Sequence, residues 1–139
     1  MRPIRNSAKT IIIHAGELLV ITKHAPEGAY YILPGGGQHP GETLHQTLTR
    51  ACLEEIAAQI VIGDLLFIRE YIGRHHAFAA TDSHIHQIAF LFECALQEGA
   101  TPHVGAVPDT DQYGIEWLPV HSLEQCRLYP AVLRSLLQE

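Results

Sequence analysis

Residues 33–58, LPGGGQHPGETLHQTLTRACLEEIAA, constrain this chain more than any other stretch. Three successive glycines, Gly35, Gly36 and Gly37, allow a sharp turn and let a ligand approach bare backbone, because no Cβ stands in the way. Thr43 then predicts a helix N-cap, with Gln46 three residues on as its capping-box partner. Leu44, Leu48, Cys52 and Ile56 follow at helical spacing and form the face expected against the core. On the same helix Ala51, Glu54 and Glu55 lie three and four residues apart, on neighbouring surface. Two adjacent carboxylates repel unless a cation lies between them, and oxygen ligands suit magnesium or manganese better than zinc. Arg50, four residues before Glu54, is placed to pair with it. The plain alternative is a capped amphipathic helix whose acids are simply solvated.

The rest of the chain frames this helix. At 139 residues it has the size of one domain, 1–139, able to bury a real core. Its hydrophobic share of 47% and charged share of 17% are those of a globular protein. A net charge of -6 with nine scattered Lys and Arg argues against a surface built to coat nucleic acid, so no nucleic-acid partner is expected. An anionic substrate then calls for a metal ion or a local arginine. No apolar run approaches membrane-spanning length, so no membrane partner and a cytoplasmic location are expected. Cys52, Cys94 and Cys126 are odd in number and form no C-x-x-C pair, which predicts free thiols.

Two β-branched runs, 10–13 and 18–22, joined through Gly16, read as a hairpin. A third short apolar run, 29–33, enters the glycines. Segments 60–72 and 84–96 are long and β-rich, the second of them with the composition of a central strand. Residues 115–119, IEWLP, read as a last short strand, and Ser122 is expected to cap a final helical region that runs to Leu137 with room for an interruption near Pro130. The loops GRHHAFAATDS and QEGATPHVGAVPDTDQYG are long for so small a chain, which makes them candidate substrate-facing segments. His75 and His76 in the first are candidates for phosphate contact, and a solvated loop is the alternative. Tyr30 and Tyr31 precede the glycines, where one of them can stack on a base while the other faces the core. His84 and His86, two apart on a strand, share a face and suggest either a transition-metal pair or ordinary hydrogen bonding.

The glycine–helix segment resembles the Nudix box, G-x5-E-x7-R-E-U-x-E-E-x-G-U with U a bulky aliphatic residue, through Gly36, Glu42, Arg50, Glu54 and Glu55, preceded by Leu33, Pro34 and Gly35. The resemblance implies an α/β fold, a Nudix-like αβα sandwich with a mixed central sheet. It implies divalent-metal-dependent hydrolysis of a pyrophosphate bond in a nucleoside diphosphate derivative, such as a nucleotide, ADP-ribose or a nucleotide sugar. In that picture Mg2+ or Mn2+ is held by Glu54, Glu55 and the Gly35 carbonyl, and Arg50 and Glu42 brace helix and loop. Gly35, Gly36, Gly37, Tyr31 and His75 would meet the small-molecule substrate, and the resemblance also allows a homodimer.

Two positions depart in chemistry from the pattern, and Cys52 and Ala58 fill its aliphatic positions with smaller side chains. Ala51 stands where the box has its first Glu after the Arg, and Ala57 where it has its late Gly. The alanine at 57 either lets the helix run on or strains its end by ~1 kcal/mol. Ala51 removes a carboxylate that the family uses for metal binding, so a replacement acid is expected from a loop. Asp111 is the first choice, completing the metal site or acting as the catalytic base, with Asp109 beside it and Glu70 a weaker option. The second functional reading is a Nudix-fold module that binds a nucleotide or diphosphate with little or no chemistry.

Overall fold

The computed structural model describes residues 3–72, 85–109 and 111–137. Seven strands form a mixed sheet: β1 (Arg5–His14), β2 (Glu17–Ala25), β3 (Gly28–Ile32), β4 (Gly35–Gly37), β5 (Ile60–Ile72), β6 (His86–Leu96) and β7 (Gln112–Pro119). The main order is β3-β2-β1-β6-β5, with β4 pairing β1 and β7 pairing β2. The β1–β6 pair is parallel and the others are antiparallel. The expected hairpin is present, with Ile13 opposite Leu18 and positive φ at Ala15 and Gly16 in the turn. Strand β6 lies between β1 and β5, as its apolar composition suggested.

Successive residues of β2 point to opposite faces and so build two cores. Leu19 and Ile21 join Ala8 and Ile12 against Leu48, Cys52 and Ile56 of helix α1 (Leu44–Ile56). Leu18 and Val20 join Ile11, Leu33 and Leu91 on the other side, against Leu123, Leu128, Leu133 and Leu137 from the C-terminal segment. The sheet is therefore covered on both faces, in an αβα arrangement. Cys52 and Cys94 are buried, and all three cysteines are free thiols.

Helix α1 begins as its sequence dictates. Thr43 Oγ1 accepts the Gln46 N–H at 3.1 Å, and the Gln46 side chain accepts the Thr43 N–H at 2.9 Å. It ends at Ala57, which adopts a left-handed conformation (φ 52°, ψ 37°). Of the two outcomes open for that alanine, the strained end is the one realised.

The C-terminal segment breaks near Pro130, as its sequence suggested, but differs from expectation at the Ser122 cap. A 3-10 turn spans Val120–Gln125 and starts at Pro119 without a side-chain cap. Ser122 lies inside it at a kink and donates its hydroxyl to the Pro119 carbonyl at 3.3 Å. A separate short helix, α2 (Leu133–Leu136), follows after Pro130. Pro130 lacks an N–H and so cannot carry one helix through from Ser122 to Leu137.

Candidate active site

The glycines form β4, antiparallel to residues Ser7–Lys9 of β1, with Ser7 opposite Gly37, Ala8 opposite Gly36 and Lys9 opposite Gly35. At Gly35 (φ +147°) a Cβ would strike the Ala8 carbonyl and come within 2.8 Å of Lys9 Cα, so only glycine fits. At Gly36 a Cβ would meet the Ala51 Cβ at 3.4 Å. Helix α1 thus passes directly beneath the glycine strand.

Arg50 is the hub that ties strand, loop and helix together. Its Nε donates to Glu42 Oε2 at 2.7 Å and its Nη2 to Glu42 Oε1 at 3.1 Å. Nη1 donates to Glu54 Oε1 at 3.0 Å, and Nη2 also to the Gly37 carbonyl at 2.9 Å. Glu42 additionally accepts the His39 N–H at 2.9 Å and the Thr47 hydroxyl at 3.1 Å. These bonds, Arg50 first, hold its carboxyl down at about 2. Charge-assisted forks of this kind fix geometry as well as energy, so Glu54 is presented in one orientation.

Glu55 has a different setting. It is buried, and Oε1 accepts the Gly35 N–H at 3.1 Å. Burial pushes its carboxyl up to about 7, against the opposing pull of Lys9 and the Gly35 N–H. A carboxylate raised by burial beside a glycine strand is the kind of group found where chemistry occurs.

The loop after β6 is strapped to the end of this helix. The amides of His103, Gly105 and Val107 donate to the carbonyls of Ile56, Glu55 and Glu54 at 2.9, 3.1 and 3.1 Å. Gln112 Nε2 donates to the Glu55 carbonyl at 2.9 Å, and its Oε1 accepts the Asp109 N–H at 2.8 Å. The last carbonyls of a helix have no intrahelical partner, and here the loop supplies one. The strap carries Asp109 into the neighbourhood of Glu55 and Lys9, where Lys23 Nζ pairs with its Oδ2 at 3.1 Å.

Asp111, the first choice from sequence, is placed otherwise. It is exposed, with φ 62°, and its carbonyl accepts the His24 N–H at 3.1 Å. The acid facing the helix is its neighbour Asp109. Glu70 points elsewhere, with Oε2 2.7 Å from His86 Nε2 on the adjacent strand. Tyr31 packs against the second core, its hydroxyl hydrogen-bonded to Glu116, and Tyr30 stacks edge-on against Tyr129. His75, His76 and His84 lie outside the described residues, as does the loop that holds them. Lys9 and Lys23 were missed by the sequence reading. The one available signal was a lysine at the head of each apolar run or at its tail, which fits a strand end near a site as well as a solvated one.

Among the described residues no three His, Cys, Asp or Glu side chains are gathered so as to hold a metal by themselves. Magnesium ordinarily takes one or two protein carboxylates and completes its shell with water and substrate phosphates. Glu54 and Glu55 fit that requirement, though not that of a closed protein cage.

The sandwich with its glycine strand and acidic helix is an α/β fold with a mixed sheet covered on both faces. The NUDIX domain family model matches residues 4–138, and the chain belongs to this family. A NUDIX hydrolase from Nitrosomonas europaea is similar in structure with a TM-score of 0.74 at 17% identity, covering 96% of this chain and 86% of that one. A MutT protein from Methanosarcina mazei Go1 has a TM-score of 0.73 at 19% identity, covering 99% and 92%. An ADP-ribose pyrophosphatase from Streptococcus suis 89-1591 has a TM-score of 0.66 at 13% identity, covering 96% and 89%. At these identities the likeness is one of fold. No curated protein sequence matches the chain.

Proposed function

We propose that this chain hydrolyses a pyrophosphate bond in a nucleoside diphosphate derivative, whether nucleotide, ADP-ribose or nucleotide sugar, with Glu54 and Glu55 as the carboxylates that would hold Mg2+ or Mn2+. The observation that carries this reading is the Arg50 hub, which presents Glu54 beside Glu55 under the bare backbone of Gly35–Gly37. A bound divalent ion supplies positive charge to the phosphoryl oxygens and makes a water molecule more acidic. The glycines admit the diphosphate to the helix, Gly35 orients Glu55 through its N–H, and the strap sets Asp109 as the further acid. Attack of water on phosphorus breaks the bridging P–O bond, and Glu55 or Asp109 takes the proton that the water gives up. Ala51, at the box position that follows Arg50, favours a second reading: a module that binds a diphosphate without cleaving it.

Turnover of a panel of nucleoside triphosphates, nucleotide sugars, ADP-ribose and dinucleotides, with magnesium, with manganese and with chelator, tests both. Metal-dependent cleavage of one member that is lost in Glu54→Gln and Glu55→Gln supports the hydrolase. Cleavage that survives both substitutions removes the helix from the mechanism. Thermal stabilisation by a diphosphate without cleavage supports the binding module.

A further inference from the structure

The cations of the site are unequally engaged. Arg50 is bonded to Glu42 and Glu54, and Lys23 is paired with Asp109 with a side chain only 13% exposed. Lys9 is half-buried on β1 and faces Gly35, and its stem lies so close over that residue that a Cβ there would come within 2.9 Å of Lys9 Cδ. Gly35 in turn donates its N–H to Glu55. The ammonium of Lys9 stands in the field of Glu55 and Asp109, with Lys23 beside them. Yet among the described residues it forms no hydrogen bond or ion pair of its own. A lysine withdrawn from water without a direct partner is costly in a fold, and an arriving anion offsets that cost.

The identity of the anion follows from the surroundings. An ammonium is a compact point charge with three donors, well suited to phosphoryl oxygens. Beside it runs β4, whose Gly35 leaves room for close approach. The carboxylates Glu54 and Glu55 repel an anion unless cations stand nearby; the Arg5 guanidinium lies over Gly37 at the far end of β4, and Lys9 is the cation at the Gly35 end whose donors are open among the described residues. We infer that Lys9 is a phosphate-binding residue of this site, its ammonium taking an oxygen of the diphosphate at the Gly35 end of α1 whether or not a divalent ion is bound. The inference rests on the diphosphate reading of the site given above and adds a protein cation to its recognition.

Calorimetric titration of the full chain with inorganic pyrophosphate, in chelator and free of divalent ions, tests it. The wild-type protein is expected to bind, Lys9→Met to weaken binding about tenfold or more, and Lys9→Arg to keep most of it. Absence of binding by the wild-type protein, or equal binding by a folded Lys9→Met variant, overturns the inference. A second measurement needs no variant: pyrophosphate in chelator should protect Lys9 from reductive methylation, read by peptide mass spectrometry, and unchanged labelling overturns the inference equally. Neither experiment requires turnover. Metal-dependent cleavage with no role for Lys9 leaves the hydrolase reading standing alone, and Lys9-dependent binding without any cleavage leaves the binding module.

Discussion

Arg50 and Glu42 meet through two hydrogen bonds, 2.7 Å from Nε and 3.1 Å from Nη2, across a separation of eight residues. The contact joins the loop after the glycines to the middle of α1 and gives the acid range a defined signature. Glu42 titrates near 4.5 in the unfolded chain and is held at about 2 in the fold, chiefly by Arg50. Between those values the unfolded state binds the proton and the native state does not, so stability rises with pH there. The contribution is complete above about 4.5 and disappears as the pH falls towards about 2. Glu42→Gln cannot titrate, so its unfolding midpoint should be lower at neutral pH and fall less steeply on acidification. Thermal melts of both proteins from about pH 6 to about pH 2 check this, and parallel acid limbs would show that the pair carries no linkage.

The same arginine orients Glu54, which sets a second expectation. Arg50→Lys keeps the charge but loses the planar fork, so Glu42 and Glu54 can no longer be held together. Groups that orient a metal ligand typically matter ~10–100-fold in metal affinity. The magnesium concentration for half-maximal activity should rise by about that factor, with the fold retained by circular dichroism.

Ala57 closes α1 in the left-handed region, with φ 52°. That conformation costs a residue bearing a Cβ ~1–2 kcal/mol, while glycine adds unfolded-state entropy worth ~0.4–1 kcal/mol in the opposite direction. Ala57→Gly should therefore stabilise the protein by up to about 1.5 kcal/mol in urea unfolding. A loss of stability would mean that the Ala57 methyl contributes packing that outweighs the backbone strain.

Gly105 lies against the last turn of α1, where a Cβ would clash with the Glu54 carbonyl and come 3.0 Å from that of Leu53. Backbone atoms cannot move aside as a flexible side chain can, so Gly105→Ala should destabilise by ~1–3 kcal/mol. The strap should loosen first, giving faster hydrogen exchange at the amides of Gly105 and Val107, which now bond to Glu55 and Glu54. Loss of Asp109 from the neighbourhood of Glu55 should accompany it, as reduced activity.

What the sequence makes legible here is mostly local. The hairpin, the Thr43–Gln46 cap and the buried face of α1 all follow from residues within one or two turns of each other, and β5 runs over the expected 60–72. The Arg50–Glu42 contact is also readable, because the spacing of the box carries it. Lys9 is a different matter. It reaches the site only because β1 pairs with β4, a contact between residues 26 apart, Lys9 and Gly35, that no periodicity announces. The choice between Asp109 and Asp111 likewise depends on how Gln112 anchors the loop to the Glu55 carbonyl, and counting back from Trp117 does not reveal it. Ser122 failed as a cap because a 3-10 turn had already begun at Val120.

Ala51 is 1% exposed, and its Cβ faces Gly36 between α1 and the glycine strand. A glutamate there would extend along the face that already carries Glu54 and Glu55, three and four residues on. In chelator the added bulk and the third carboxylate should destabilise Ala51→Glu by ~1–3 kcal/mol. With magnesium or manganese the order should change, because the variant offers the ion one more oxygen ligand than the wild-type protein does. The metal-induced rise in melting temperature should thus be larger in Ala51→Glu than in the wild type, and turnover should increase if the missing carboxylate is all that limits it. Equal metal responses in the two proteins would mean that position 51 does not face the ion, and that Glu54 and Glu55 take it up without a third carboxylate from α1.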